Sequence, residues 1–221
     1  MFKAVLFDLY ETLVTESGAE IRNAGALGES FGLDARAYRR EWKQLRPFVL
    51  CGRLTFQAAL TEVGERLGVA IPLELVQRAC EERTRAKSSI FRRIDPALVA
   101  LARELRQRGM RLGVVSNCMA EDVLGWPDSA LAPEFDCTMF SFMAGVVKPD
   151  VEIYLEALQR LGINAGDAIY IGDGGDDELA GARRAGLSAA QAAWFVSRNA
   201  SPAEPLLSKP ADVRRLIDNA G

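Results

Sequence analysis

The sequence predicts an α/β fold: a doubly wound, Rossmann-like parallel sheet with an all-helical insertion after its first strand. Three observations predict it. Short apolar runs stop at polar tips, these runs alternate with helical stripes from Pro96 onward, and residues 16–91 carry helical spacing with no convincing strand. A chain of 221 residues is long enough for such a core with an insertion, and 49% hydrophobic against 26% charged residues is an ordinary globular balance.

The first strand is Ala4-Val5-Leu6-Phe7, which stops at Asp8. Within the insertion, Phe56, Ala59, Leu60, Val63 and Leu67 recur at helical spacing. Gly68 and Pro72 break that pattern before a charged helix around Leu73 to Ala86. Leu98, Leu101, Ala102 and Leu105 form the next stripe, closed at Gly109. A strand from Leu112 to Val115 is tipped by Ser116-Asn117, and another from Cys137 to Phe140 leads to Lys148-Pro149. Val151, Tyr154, Leu155, Leu158 and Leu161 mark a helix, and Ala168 to Ile171 is a strand tipped by Gly172-Asp173. A helix begins near Asp177, a last strand lies within Ala190 to Val196, and the tail after Ser197 looks loop-rich. The chain thus divides into a core of residues 1–15 and 92–221 and a helical unit of residues 16–91.

Composition removes several function classes. A net charge of −3 and a pI near 5.3 argue against general nucleic-acid binding. No run approaches the ~18 apolar residues of a membrane span. The chain enters its first strand without a leader pattern, so a cytoplasmic location is expected. Cys51, Cys80, Cys118 and Cys137 form no CxxC pair and are expected to be reduced and mostly buried. Histidine is absent, which removes Ser-His and Cys-His nucleophile schemes. Any chemistry must run on Asp, Glu, Lys, Ser, Tyr or a metal.

Ligands of open α/β sheets bind at the carboxyl edge that parallel strands share. Asp8, Ser116 and Asp173 therefore converge, joined by Lys148 from the loop after the third strand. Each alone is as readily a cap or turn residue; their ordering at strand tips carries the argument. Two carboxylates, a hydroxyl and an ammonium suit phosphoryl transfer, in which an Asp attacks phosphorus and water hydrolyses the aspartyl-phosphate. Mg²⁺ takes oxygen ligands and keeps several waters, so it is the expected cofactor, with Asp8 and Asp173 as carboxylate ligands.

Phe7-Asp8-Leu9-Tyr10-Glu11-Thr12-Leu13, Val114-Val115-Ser116-Asn117, Lys148-Pro149-Asp150-Val151-Glu152-Ile153-Tyr154 and Gly172-Asp173-Gly174-Gly175-Asp176-Asp177-Glu178 follow one another in this order. In this the chain resembles the haloacid dehalogenase superfamily over nearly its whole length. The resemblance implies Asp8 as nucleophile, and the helical unit as a cap that closes over the site and reads the substrate. It implies a phosphatase in which the Tyr10 backbone carbonyl helps hold the metal. Thr12, Ser116, Asn117 and Lys148 then steady the site and the phosphoryl group. Asp173 is expected to bind the metal with Asp177 as a supporting carboxylate, while Asp176 to Glu178 also complement the next helix N-terminus.

Two positions depart from the phosphatase pattern. Tyr10 stands where similar phosphatases carry an Asp that protonates the leaving group, and Glu11 stands where Gly is usual. The missing acid implies a preference for good leaving groups or acyl phosphates, unless Glu11 replaces it. Tyr10, Lys148 and Tyr154 also suit a metal-independent 2-haloacid dehalogenase, which needs a cap arginine such as Arg39, Arg40 or Arg46. A third reading is a non-catalytic binding protein on the same fold. The expected partner is a small molecule, a phosphorylated metabolite or a haloacid, with monomer and homodimer both open.

Overall fold

The computed structural model describes residues 1–196 and 205–219. After β1 (Ala4–Phe7) come four helices, α1 (Ala24–Ser30), α2 (Ala35–Leu50), α3 (Phe56–Arg66) and α4 (Leu73–Ile90). Then α5 (Pro96–Gln107), β2 (Arg111–Ser116), β3 (Cys137–Phe140), α6 (Ser141–Ala144), α7 (Val151–Leu161), β4 (Ala168–Gly172), α8 (Glu178–Arg184), β5 (Ser188–Ala192), β6 (Leu206–Leu207) and α9 (Asp212–Asn219) complete the described chain.

The strands form one parallel sheet in the order β3-β2-β1-β4-β5-β6. Both faces are covered, so β1 reads as an unbroken apolar run rather than an alternating one. Its side chains nonetheless alternate. Val5 and Phe7 join one core with Leu98, Leu105 and Val213 from α5 and α9, while Ala4 and Leu6 join another with Tyr154, Leu158 and Leu179 from α7 and α8. β2 and β3 lie on one side of β1 and the later strands on the other, so the strand order reverses beside β1 and β4. The crevice above their carboxyl ends is the binding position of such sheets.

The four helices between β1 and α5 bury a separate cluster around Leu45, Val49, Phe56, Leu60, Val63 and Val76. Met119 of the sheet portion packs into that cluster and ties the two parts together. Side-chain caps start three of these helices, from Asn23, Asp34 and Thr55. The end of α2 is seated closely, because a Cβ on Gly52 would lie 2.1 Å from the Phe142 carbonyl oxygen.

Two expectations need correction. The last long strand is Ser188–Ala192, starting two residues before the window Ala190 to Val196. The tail is not all loop, since Leu206–Leu207 adds an edge strand and Asp212–Asn219 a helix that buries Val213 and Ile217. A two-residue strand is too short to show periodicity, and Pro205 and Pro210 mask the helix that follows. Residues 197–204, the first part of that tail, lie outside the described residues. The four cysteines are unpaired; Cys118 and Cys137 are buried, Cys51 and Cys80 half-buried. No helix among the described residues is long and apolar enough to cross a membrane.

Candidate active site

Each functional side chain stands where the sheet delivers it. Asp8 is the residue after β1, and its N–H donates to the Ile171 carbonyl of β4 at 2.8 Å. Asp173 follows β4 in the same way, and Ser116 ends β2. Lys148 comes from the loop before α7, where Asn117 fastens it. The Asn117 amide donates to the Lys148 carbonyl at 2.9 Å, and the Lys148 N–H donates to Asn117 Oδ1 at 2.7 Å. A cavity of about 580 Å³ opens over Asp8, Ser116, Asn117, Lys148 and Asp173. That volume falls in the ~300–1,000 Å³ range of small-molecule sites.

Asp8, Asp173 and Glu178 are buried and offer carboxylate oxygens within 4.8 Å of one another. The Lys148 ammonium donates to Asp8 Oδ1 and to Glu178 Oε2 at 2.5 Å each, and to the Tyr170 hydroxyl at 3.1 Å. That hydroxyl donates in turn to Glu178 Oε2 at 2.6 Å. Burial pushes the Asp8 carboxyl up to about 7; the Lys148 charge opposes the rise, and the Glu178 and Asp173 charges add to it. Burial works against the charge on Lys148, but Asp8 and Glu178 outweigh it and hold the ammonium above the ordinary lysine range. Three buried carboxylates gathered around one ammonium, which pairs with two of them, leave more carboxylates than cations at the base of the cavity. All-oxygen donors with that excess fit a divalent cation such as Mg²⁺.

Spacing favours Asp177 as the supporting carboxylate, and the structure seats Glu178 instead. Asp176 and Asp177 both adopt left-handed backbone, with φ of 50° and 55°. The Asp177 side chain is 70% exposed and faces Arg184 at 3.6 Å. α8 then begins at Glu178, whose Oε1 accepts the Gly174 N–H at 3.0 Å. Gly172 makes room for it, since a Cβ there would lie 2.2 Å from Glu178 Oε1. Asp176 lines the cavity and accepts from the Asn117 amide at 3.1 Å.

Tyr10 lines the cavity, but its hydroxyl donates to the Asp122 carbonyl at 2.5 Å. Burial, together with the Asp122 charge, holds that phenol well above its ordinary range. Glu11 sits at φ 58°, the conformation that favours Gly. Its carboxylate accepts the Thr15 hydroxyl and the Glu16 N–H, both at 2.8 Å, so it serves the loop rather than a leaving group. Thr12 is buried outside the cavity lining; its carbonyl accepts the Trp194 indole N–H at 2.8 Å, and its hydroxyl has no partner among the described residues. Tyr154 is likewise off the cavity, its hydroxyl donating to the Glu178 carbonyl at 2.8 Å. Of Arg39, Arg40 and Arg46, only Arg46 lines the cavity.

Sequence reasoning missed Tyr170 and the Lys87 cluster. The Tyr170 phenol sits in a strand buried throughout, where a polar tip requires a partner; that was its available signal. Lys87, at the end of the charged helix α4, is buried against the Tyr10 ring at 3.8 Å and pairs with Glu16. Nothing in its sequence neighbourhood distinguishes it from a surface lysine.

The model of the haloacid dehalogenase-like hydrolases matches residues 2–186, which include every residue of the carboxylate and lysine cluster. The chain belongs to this family. As a haloacid dehalogenase-like hydrolase it is an enzyme, and the non-catalytic reading falls. It is 30% identical to a glyceraldehyde 3-phosphate phosphatase of Methanopyrus kandleri, over 85% of this chain and 82% of that protein. It is 31% identical to a phosphoglycolate phosphatase of Aquifex aeolicus, over 59% of this chain and 62% of that protein. Among solved structures, a 2-haloacid dehalogenase from Pseudomonas syringae superposes with a TM-score of 0.68 at 23% identity, covering 100% of both chains. A haloacid dehalogenase-type phosphatase from Thermococcus onnurineus gives a TM-score of 0.66 at 21% identity, covering 98% of each. Both structural likenesses establish the fold, and neither selects between the two chemistries.

Proposed function

We propose that the protein is a Mg²⁺-dependent phosphatase that acts on a small phosphorylated metabolite through an aspartyl-phosphate on Asp8. One observation carries this reading: three buried carboxylates, Asp8, Asp173 and Glu178, gather at the base of the cavity, and the one ammonium among them, Lys148, pairs with Asp8 and Glu178. A metal-independent dehalogenase gains nothing from the extra carboxylates and bears their repulsion. The phosphatase names of the sequence relatives support the same choice.

In this reading an Asp8 oxygen forms a bond to phosphorus as the ester oxygen departs. Water then attacks the same phosphorus, frees the Asp8 carboxylate and yields inorganic phosphate. Asp8, Asp173, Glu178 and the Tyr10 carbonyl hold Mg²⁺, which when bound neutralises charge on the phosphoryl oxygens. Lys148 shields the nucleophile from Glu178 and adds positive charge, Ser116 donates to the phosphoryl group, and Asn117 holds Lys148 in place. Thr12 steadies the loop after β1. Tyr10 and Glu11 both have their polar groups engaged elsewhere, so the leaving oxygen takes its proton from water. Acyl phosphates and aryl phosphates are therefore the better substrates. Residues 16–91 act as the cap, and the unpaired cysteines suit a reducing cytoplasm.

The test is hydrolysis of para-nitrophenyl phosphate with and without Mg²⁺, beside Asp8→Asn. Mg²⁺-dependent turnover that vanishes in the variant is the expected result. Absence of turnover, with halide released from 2-chloropropionate in the presence of EDTA, overturns the phosphatase reading in favour of the dehalogenase.

A further inference from the structure

Four cations line the cavity from the helical unit, namely Arg22, Arg46, Arg83 and Lys87. Of these four, Lys87 alone is buried. Its ammonium lies over the ring of Tyr10, 3.8 Å from the centroid, and Tyr10 is only two residues beyond Asp8. The partners of Lys87 leave it able to bind something more. Asp122 stands 3.8 Å away, beyond hydrogen-bond reach, and is already paired with Arg83 at 2.6 Å. Glu16 accepts the one hydrogen bond that Lys87 makes among the described residues, and that carboxylate is 42% exposed, so water screens much of the pair. An ammonium has three N–H donors. One goes to Glu16 and one side rests on the Tyr10 ring, which leaves a donor for a molecule in the cavity. A buried lysine is rare unless something satisfies its charge, and here the internal partners do so only in part.

We propose that Lys87 is a catalytic residue whose ammonium stabilises the charge that develops on the leaving oxygen of a phosphate ester. This rests on the phosphatase reading, with the phosphoryl group at Asp8. In-line displacement puts the leaving oxygen on the side of phosphorus opposite Asp8. Asp8 stands at the sheet edge, so that side faces the helical unit, from which Lys87 comes. Lys148 does not serve there, because it pairs with Asp8 and Glu178 at the base of the cavity. Tyr10 does not either, since its hydroxyl is turned to the Asp122 carbonyl. As the P–O bond breaks, its electron pair stays on the leaving oxygen, and Lys87 donates a hydrogen bond to it while keeping its own proton. Water then protonates that oxygen, and the hydroxide formed is consumed when the aspartyl-phosphate is hydrolysed. A cation held away from bulk water acts strongly on such charge and needs no reorganisation at the moment of reaction. Its effect is largest where the leaving oxygen carries most charge, on esters of weakly acidic alcohols and phenols.

The experiment measures kcat/KM of the Mg²⁺-loaded enzyme for para-nitrophenyl phosphate and phenyl phosphate, whose leaving phenols are similar in shape and differ in acidity. This parameter reports the transfer to Asp8, the step in which the leaving oxygen departs. The readout is the ratio of the two values, compared between wild type, Lys87→Met and Glu16→Gln. In Lys87→Met the ratio is expected to rise about tenfold or more, because phenyl phosphate loses most. Glu16→Gln keeps the ammonium and removes the carboxylate that offsets it, so the ratio is expected to fall about twofold or more. A lysine that only supports the fold lowers both substrates by the same factor. Equal losses in Lys87→Met therefore overturn the proposal, while turnover of para-nitrophenyl phosphate by wild type leaves the phosphatase reading intact. Should Lys87→Met not fold, Glu16→Gln decides alone, and a ratio that stays or rises there overturns the proposal. Failure of wild type to hydrolyse either ester overturns both.

Discussion

Replacing Glu178 with Gln removes one of three buried carboxylates, whereas replacing the neighbouring Asp177 with Asn touches only an exposed side chain near Arg184. Glu178→Gln is therefore expected to weaken Mg²⁺ binding by about tenfold or more, and Asp177→Asn by less than about twofold, measured by calorimetry on the unsubstrated protein. Asp8 carries a pH signature of its own. Burial raises its carboxyl to about 7, so the metal-free folded protein holds that proton more tightly than the unfolded chain does. Its contribution to stability is complete below about pH 4 and is lost as pH rises through about 7. Asp8→Asn lacks this loss. Its stability relative to wild type should climb between those limits and then level off, as urea unfolding without metal can follow. A flat difference across that window would mean that Asp8 ionises at its ordinary pKa.

The elements that carry the site depend on close approaches between backbone and side chain. Gly172 closes β4, and the Glu178 carboxylate from the start of α8 occupies the space its side chain would fill. Gly172→Ala must displace that carboxylate or shift the strand end. A loss of about 1–3 kcal/mol in unfolding free energy is expected, with Mg²⁺ affinity reduced in parallel. Asn117 joins the end of β2 to the loop before α7 through both of its amide atoms. Asn117→Ala should accordingly lower turnover of para-nitrophenyl phosphate by about tenfold or more, through a misplaced Lys148. Tyr170 plays the same part from beneath, one hydroxyl serving Lys148 and Glu178 together.

Across the whole molecule, the helical unit and the sheet portion meet at Lys87. This residue of α4 is buried, lies against the Tyr10 ring, pairs with Glu16 on the connecting segment and stands 3.8 Å from Asp122 after β2. Lys87→Met keeps the apolar stem but removes the second of two cations beside buried Asp122, the nearer being Arg83 at 2.6 Å. Destabilisation of about 1–3 kcal/mol is expected from urea unfolding, most of it from the buried side, because the Glu16 carboxylate is half exposed. An unchanged midpoint would mean that Arg83 alone neutralises Asp122.

The sheet, the order of its first five strands along the chain and the helical character of residues 16–91 were legible because apolar period and turn chemistry are local properties. The strand tips were legible for the same reason: a carboxylate or hydroxyl that ends an apolar run must lie at the sheet edge, as Asp8, Ser116 and Asp173 do. Tertiary structure alone decided which acid after β4 turns inward, because two consecutive left-handed residues rotate the chain by an amount that no spacing reveals. It alone decided that Arg46, and neither Arg39 nor Arg40 of the same helix, lines the cavity. It also decided that Lys87 is buried and Tyr10 engaged. Those outcomes depend on which groups distant segments bring within hydrogen-bonding reach. Such pairing leaves no trace in the order of residues along the chain.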